Sequence, residues 1–159
     1  MMKSSFKTGL SFGLTSGVIT TLGLMVGLHS GTHSRTVVIG GIVTIAVADA
    51  LSDALGIHIA EESKNNGNVS EIWESTIATF LAKFLIAMTF VAPVLLLPLE
   101  HAMSVSVVWG LTLLAVLSYL LARAQQITAW KVIAEHVVIG VSVIASTHYV
   151  GDWIHTTLG

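Results

Sequence analysis

Five long apolar runs limit what this chain can fold into more than any other feature of its sequence. A helix that crosses the hydrocarbon core of a bilayer needs about 20 mostly apolar residues in succession. Only 10% of the residues are charged and the mean hydropathy is +0.84, whereas soluble domains carry about 25% charged residues. We therefore expect an all-α, polytopic membrane protein with a single domain over residues 1–159. Its five predicted helices cover residues 9–29, 36–60, 77–99, 104–122 and 132–155.

Short connections predict that adjacent helices run antiparallel, and the longest connection is a polar, acidic loop over residues 61–76. Basic residues in short loops mark the cytoplasmic side of a membrane protein. Lys83 is counted with the loops because it lies near the start of the predicted third helix, from which its side chain can reach the surface. One side then carries Lys3, Lys7, Lys64, Lys83, Arg123 and Lys131, and the other only Arg35. This predicts a cytoplasmic N-terminus and acidic loop, and a C-terminus on the opposite side.

Several functional classes lack their sequence signatures. The chain has no Cys, which excludes disulfides, thiolate metal sites and Cys nucleophiles. A net charge of −2 gives no basic surface for a nucleic acid. Phosphate-binding loops and hydrolase motifs are also missing. We expect no enzyme, no prosthetic group and no nucleic-acid partner, and the first apolar run is interpreted as a retained helix, not a signal peptide.

The first predicted helix carries two series of glycines at four-residue spacing. Such small-xxx-small patterns allow two helix backbones to approach closely in lipid. The pattern does not say whether the partner helix belongs to the same chain or to a second subunit, so both interpretations stay open. The two series are Gly9, Gly13, Gly17 and Gly23, Gly27, Gly31.

Two carboxylates in the second predicted helix form the main candidate site. Asp49 and Asp53 lie about 40° apart on one helix face, and each costs roughly 2.5–3.5 kcal/mol at the centre of a span. Their oxygens suit divalent cations and can also exchange protons. The alternative is a structural pair held by Ser, Thr or Lys from a neighbouring helix. Neutral oxygens beside the path would come from Ser16, Thr20 and Ser52.

Two further groups of polar residues lie at the ends of the predicted helices. On the cytoplasmic side, one group could collect cations at a pore entrance, although a solvated loop is the favoured interpretation. On the far side, three residues share a narrow face of the last helix, with His29, His33, Glu100 and His101 nearby. Imidazole and carboxylate together suit iron, manganese or zinc, and the alternative is ordinary solvated helix ends. The cytoplasmic group is His58, Glu61, Glu62, Glu71 and Glu74, and the far-side group is His148, Asp152 and His155.

Four motifs, in this order, resemble the vacuolar iron transporter family over nearly the whole chain. The first helix contains "SGVITTLGLMVGL" and the second "ADALSDALGIHIAEES"; the third contains "APVLLLPL" with Pro93 and Pro98, and the fifth "IGVSVIASTHYVGDWI". The resemblance implies a homodimer with a metal path lined by the first two helices. It also implies export of Fe²⁺ or Mn²⁺ from the cytosol in exchange for protons.

The chain departs from that family at three positions and in one loop. Ser16 stands where the family usually has Asp, Asp53 where it has Met, and Ile45 where it has Glu. The long Glu-rich insert that iron-loading members carry after the second helix is reduced here to the short loop with Glu71 and Glu74. The resemblance therefore implies a short form of the family with a rearranged ligand set.

The sequence as a whole predicts a secondary transporter of divalent transition metal ions. Fe²⁺ and Mn²⁺ are the first candidate substrates and Zn²⁺ is a third. The bilayer and a second copy of the chain are the expected partners, and a prokaryotic inner membrane is the expected location. The alternative is a metal-binding or scaffolding membrane protein that transports nothing.

Overall fold

The computed structural model describes residues 4–64 and 68–158, and nearly all of them are helical. The helices are α1 (Ser4–Thr32), α2 (Arg35–Glu62), α3 (Val69–Thr89), α4 (Val91–Leu96), α5 (Leu99–Gln125) and α6 (Ala129–Leu158). No strand occurs among the described residues. By length and apolarity they form five candidate membrane spans, in which α3 and α4 together make the span Val69–Leu96. The prediction of an all-α, five-span fold is confirmed.

The connection between the second and third spans is much shorter than predicted. Instead of a loop over residues 61–76, α2 continues to Glu62 and α3 already begins at Val69. Asn68 starts α3 as its N-cap, since its side chain accepts a hydrogen bond of 3.2 Å from the backbone N–H of Ser70. Glu71 and Glu74 are therefore helical residues. Residues 65–67, within the predicted loop, lie outside the described residues, as does Lys3.

Pro93 accounts for the break between α3 and α4. Proline lacks a backbone N–H, and its ring clashes with the carbonyl four residues earlier. That residue is Thr89, at which α3 ends, and α4 resumes at Val91. Pro98 then stands at the N-cap of α5. The two prolines therefore divide the third span and end it.

Helix α1 is the centre of the bundle. It packs against α2, α3, α5 and α6, while α2 also packs on α3 and α5 on α6. Its buried apolar residues meet those of α2, α4 and α5 in one core, which includes Val18, Leu22, Met25, Val38, Ile42, Phe90, Val94 and Leu114. By contrast α6 fully buries only Gly140 and Gly151, and its other residues are half-buried or exposed.

The two glycine series of α1 face two different helices of the same chain. A Cβ on Gly13 would lie 2.6 Å from the carbonyl oxygen of Thr79 in α3, and one on Gly27 would lie 3.3 Å from that of Thr147 in α6. Thr79 Oγ1 also donates a hydrogen bond of 3.2 Å to the carbonyl of Gly9. Of the two interpretations left open by the sequence, the structure favours packing within one chain for both series.

We expect Gly13→Ala to destabilise the protein and Gly40→Ala, its matched control, to leave it unchanged or slightly stabilised. The added methyl at Gly13 meets backbone that cannot move aside, and overpacking of this kind costs about 1–3 kcal/mol. At Gly40 a Cβ meets no atom of its own chain within 4 Å, so within one chain only the helix preference for Ala, about 0.5–1 kcal/mol, remains. Thermal unfolding of the detergent-solubilised variants measures both changes. Equal melting temperatures for the two variants would contradict the packing of α1 on α3.

Candidate metal centre

Lys83 lies midway along the third span, and its predicted position near the start of a helix is wrong. The span begins at Val69 instead of residue 77, which moves Lys83 by two helical turns away from the membrane surface. Its side chain is only 2% exposed, so it does not reach the surface. A buried lysine at this depth requires anionic partners, because an unpaired charge in hydrocarbon costs several kcal/mol.

The partners of Lys83 are the two carboxylates predicted as the candidate site. Its Nζ lies 2.5 Å from Asp49 Oδ2 and forms a second ion pair with Asp53 Oδ2. Nζ also donates a hydrogen bond of 3.0 Å to Ser16 Oγ, and Ser16 Oγ donates one of 2.8 Å to Asp53. We call Asp49, Asp53 and Lys83 the Asp–Lys–Asp cluster. With Ser16 it joins α1, α2 and α3 at the middle of their spans.

The two aspartates are held unequally. Asp53 Oδ2 receives directed hydrogen bonds from Lys83 and Ser16. Asp49 Oδ2 is also buried but has no hydrogen-bond partner of acceptable geometry among the described residues, although it is close to the lysine amine. The Asp49 contact is thus an ion pair without a well-directed hydrogen bond. A buried carboxylate oxygen with spare acceptor capacity can take a further cation or donor.

Local sequence explains how the cluster is assembled. Small residues on α2, Ala46, Ala50 and Ala54, are buried and let this helix lie close to its neighbours. On α1, a Cβ at Gly17 would lie only 3.2 Å from the Cα of Lys83, so the glycine series brings the lysine backbone next to Ser16. The prediction that Asp49 and Asp53 share one face is confirmed by their common contact with Lys83.

The cluster carries a formal charge of −1, from two carboxylates and one ammonium group. The side chains of Asp49 and Asp53 are 28% and 22% exposed on the outside of the single chain. The oxygen donors of the cluster are its two carboxylates, and the Ser16 hydroxyl lies beside them. All of them are hard ligands. The arrangement can therefore exchange one cation for another at the depth where the membrane is least tolerant of charge.

The three residues predicted to line the path differ in their positions. Ser16 belongs to the cluster through the hydrogen bonds given above. Thr20 lies one turn further along α1 and donates its hydroxyl hydrogen bond, 2.9 Å, back to the carbonyl of Ser16. Ser52 is exposed on the part of α2 that faces away from the core. Only Ser16 is thus in contact with the aspartates.

The residues predicted as a pore entrance are not gathered around one point. His58 Nδ1 lies 3.0 Å from Thr76 Oγ1, and its ring packs on Trp73 with the centroids 4.9 Å apart. Glu61 pairs with Lys64 at 2.6 Å, and Glu62 and Glu71 are exposed, while Glu74 is half-buried on α3. Over residues 4–64 and 68–158, no group of three or more His, Asp or Glu side chains is arranged to hold a metal ion.

At the opposite end of the bundle, the predicted group on α6 is divided. His148 Nδ1 lies 2.5 Å from Ser30 Oγ of α1, whereas the His155 ring packs against that of His33, with 5.2 Å between the centroids. Asp152 is exposed and joins neither contact in the described structure. His148, Asp152 and His155 therefore do not form one site together.

Lys83 is the residue of the cluster that the sequence interpretation placed wrongly, although a signal for its position was present. Hydropathy alone starts the third helix at the first strongly apolar stretch, near residue 77. Asn68 followed by Glu71 is a helix-start signal, since Asn is a favoured N-cap and acidic residues stabilise the first turn. A start at residue 69 puts Lys83 at mid-span, level with Asp49 and Asp53.

Neither a protein-family model nor a curated protein sequence matches the chain. The resemblance to the vacuolar iron transporter family therefore stays a prediction.

Lys83→Met should destabilise the protein by about 3–5 kcal/mol, because it leaves two carboxylates without their cation in a buried site. Adding Asp53→Asn to this variant should restore part of the loss, since one negative charge is then removed as well. Lys64→Met is the matched control: in its pair with Glu61 the lysine side chain is 62% accessible and the glutamate 14%, and ion pairs at the surface contribute about 0–1 kcal/mol. Thermal unfolding in detergent tests the series. A Lys83→Met variant as stable as Lys64→Met would disprove the buried ion pairs.

Proposed function

We propose that this protein is a secondary transporter of divalent transition metal ions, with Fe²⁺ and Mn²⁺ as the first candidate substrates. The observation that carries the proposal is the Asp–Lys–Asp cluster at mid-span, together with the buried Asp49 oxygen that lacks a directed hydrogen bond. Intramembrane acids generally mark the route of an ion or a proton. Carboxylate and hydroxyl oxygens favour harder ions such as Mn²⁺ over soft metals.

Lys83 holds the place of the substrate when no metal is bound. Its ammonium group occupies the position between the two carboxylates that a cation would take. Without the lysine the two carboxylates carry a charge of −2, which matches one divalent ion. A metal ion must therefore displace Lys83 in order to bind, and return of the lysine helps to expel it.

Exchange for protons is the second part of the proposal. Carboxylates bind either a metal ion or a proton, so protons that reach Asp49 and Asp53 from the far side compete with the metal. This competition couples the two gradients and supports export from the cytosol. The direction rests on the basic-residue bias, which still favours a cytoplasmic N-terminus after Lys83 is removed from the count: Lys3, Lys7, Lys64, Arg123 and Lys131 against Arg35.

A second copy of the chain is the proposed partner. One chain offers two carboxylates and one hydroxyl, whereas an oxygen-bound divalent ion commonly takes about six ligands. Beside the aspartates, α2 exposes a continuous row of small residues at four-residue spacing, and close helix packing in lipid uses such rows. A Cβ at Gly40 or Gly56 meets nothing within 4 Å. The row consists of Gly40, Thr44, Ala48, Ser52, Gly56 and Ala60.

A second candidate function is a metal-binding or scaffolding protein without transport. The observation that favours it is the pairing of Lys83 with both aspartates, which would satisfy them as a purely structural element. The two functions differ in one result. A transporter moves metal across a sealed membrane, whereas a scaffold gives at most protection against heat by bound metal.

We expect Asp53→Asn to abolish metal transport while the folded protein stays in the membrane. The substitution removes one of the two charges that bind the ion but keeps the size of the side chain. Uptake of Mn²⁺ and of Fe²⁺ into proteoliposomes, with and without a pH gradient, is the measurement. Glu135→Gln, which alters an exposed acid on α6, is the matched control and should transport normally.

Uptake that follows the pH gradient in the wild type and disappears in Asp53→Asn would support proton-coupled transport. Normal flux through Asp53→Asn would overturn the role of the cluster. No flux in the wild type, combined with a rise in melting temperature on adding metal, would favour the non-transporting alternative.

Gly56→Leu should weaken dimerisation without unfolding the single chain. The leucine fills the groove along the row of small residues, but it meets no atom of its own chain at the Cβ position. Val138→Leu, at an exposed site on α6, is the control for added bulk. Single-molecule photobleaching counts the subunits in liposomes. A monomeric wild type, or a Gly56→Leu protein that dimerises as well as the control, would refute this interface.

A further inference from the structure

Three histidine rings stand in contact at the end of the bundle where α1 finishes and α2 begins. The centroids of His29 and His33 are 5.4 Å apart and those of His33 and His155 are 5.2 Å apart. Glu100, in the first turn of α5, places Oε2 3.7 Å from His29 Nε2. We call His29, His33 and His155 the histidine ladder. It combines residues from α1, the α1–α2 turn and α6, so the fold and not the sequence spacing brings it together.

The ring separations are those of imidazoles that can share an ion. With metal–nitrogen bonds of about 2.0–2.1 Å, two imidazole centroids on one tetrahedral ion lie about 5 Å apart. The three rings do not already converge on one point, in agreement with the lack of a three-residue metal group among the described residues. Each neighbouring pair includes His33, however, and His33 and His155 are both exposed. Binding of one ion by two of these rings therefore requires a side-chain rotation of His33, with water completing the coordination.

The backbone of His33 is a second, independent observation. It follows the last residue of α1 and has φ of 51°, in the left-handed region, and its N–H bonds to the carbonyl of His29 at 2.9 Å. Glycine is the usual residue at this position of a helix end, because a side chain there is strained. A strained non-glycine residue supports a hypothesis of function. Here the imidazole of His33 is kept at a position where glycine would be more stable.

We propose that the histidine ladder binds a divalent transition metal ion, with His33 as the shared ligand and His155 or His29 as its partner. The class of ion is set by imidazole nitrogen, which suits Zn²⁺, Co²⁺, Ni²⁺ and Fe²⁺ and does not suit Mg²⁺ or Ca²⁺. Glu100 lies beside His29 and adds negative charge at this end. The proposal stands apart from the transport function, since the ladder and the Asp–Lys–Asp cluster share no residue.

The test is a Co²⁺ titration of the purified full-length protein in detergent, followed by the visible absorption of nitrogen-coordinated Co²⁺ and by competition with Zn²⁺. His33→Gly removes the ligand at a position that glycine prefers, so its melting temperature should equal or exceed that of the wild type. We expect its Co²⁺ affinity to fall roughly tenfold or more, as for lost metal-site contacts in general. His155→Ala should change the affinity in the same direction.

Three controls make the result specific. Gln126→Gly introduces glycine at the other described non-glycine residue with a positive φ, 57°. His101→Ala removes an exposed histidine near the same end of the bundle as the ladder. Both should bind Co²⁺ like the wild type. Asp53→Asn should lose any Co²⁺ bound at mid-span but keep the absorption of nitrogen-coordinated Co²⁺, which separates this site from the oxygen donors of the cluster. An absence of the Co²⁺ band in the wild type, or an unchanged affinity in a folded His33→Gly protein, would overturn the proposal.

Discussion

An ammonium group in the middle of a bilayer has to be paired, and the arrangement of α1, α2 and α3 satisfies this requirement for Lys83. The amine reaches two carboxylates on α2 and a hydroxyl on α1. Removal of the lysine charge leaves two carboxylates uncompensated in a medium of low dielectric constant, which is far more costly than loss of an exposed pair. The cluster therefore fixes the register of α1, α2 and α3. A shift of α2 by one residue would rotate both aspartates away from the lysine.

The glycines of α1 allow the backbones of neighbouring helices to come close enough for these side-chain contacts. The first series brings the backbone of α3 next to α1, so that Lys83 lies level with Ser16. The second series does the same for α6: a Cβ added at Gly31 would lie 3.4 Å from the carbonyl oxygen of Gly151. His155 follows Gly151 by one turn and is thereby placed against His33. One helix thus positions both polar clusters, each through a different half of its length.

The sequence predicted the number of spans because apolar length is a local property, and it predicted a shared face for Asp49 and Asp53 because helical periodicity is local too. It failed where a position depended on a helix end. The polar first two turns of α3 carry no hydropathy signal, so Lys83 was placed at the surface and Glu71 and Glu74 in a loop. The partners of the glycines, and the meeting of His33 with His155, depend on tertiary packing and are not encoded in any one segment.

In the two proposals, the clusters recognise cations by different chemistry. The donors at mid-span are oxygens, with an amine as the built-in competitor, and oxygen donors discriminate weakly between Mn²⁺, Fe²⁺ and Mg²⁺. In the proposed transport function charge balance matters there, because the two carboxylates match a divalent ion only after Lys83 has moved out of contact with them. Preference for a transition metal requires nitrogen or sulfur ligands. The imidazoles of the histidine ladder, held together by two helices and a turn, are nitrogen donors. A chain that uses both proposed sites would therefore select by charge at its centre and by ligand softness at its end.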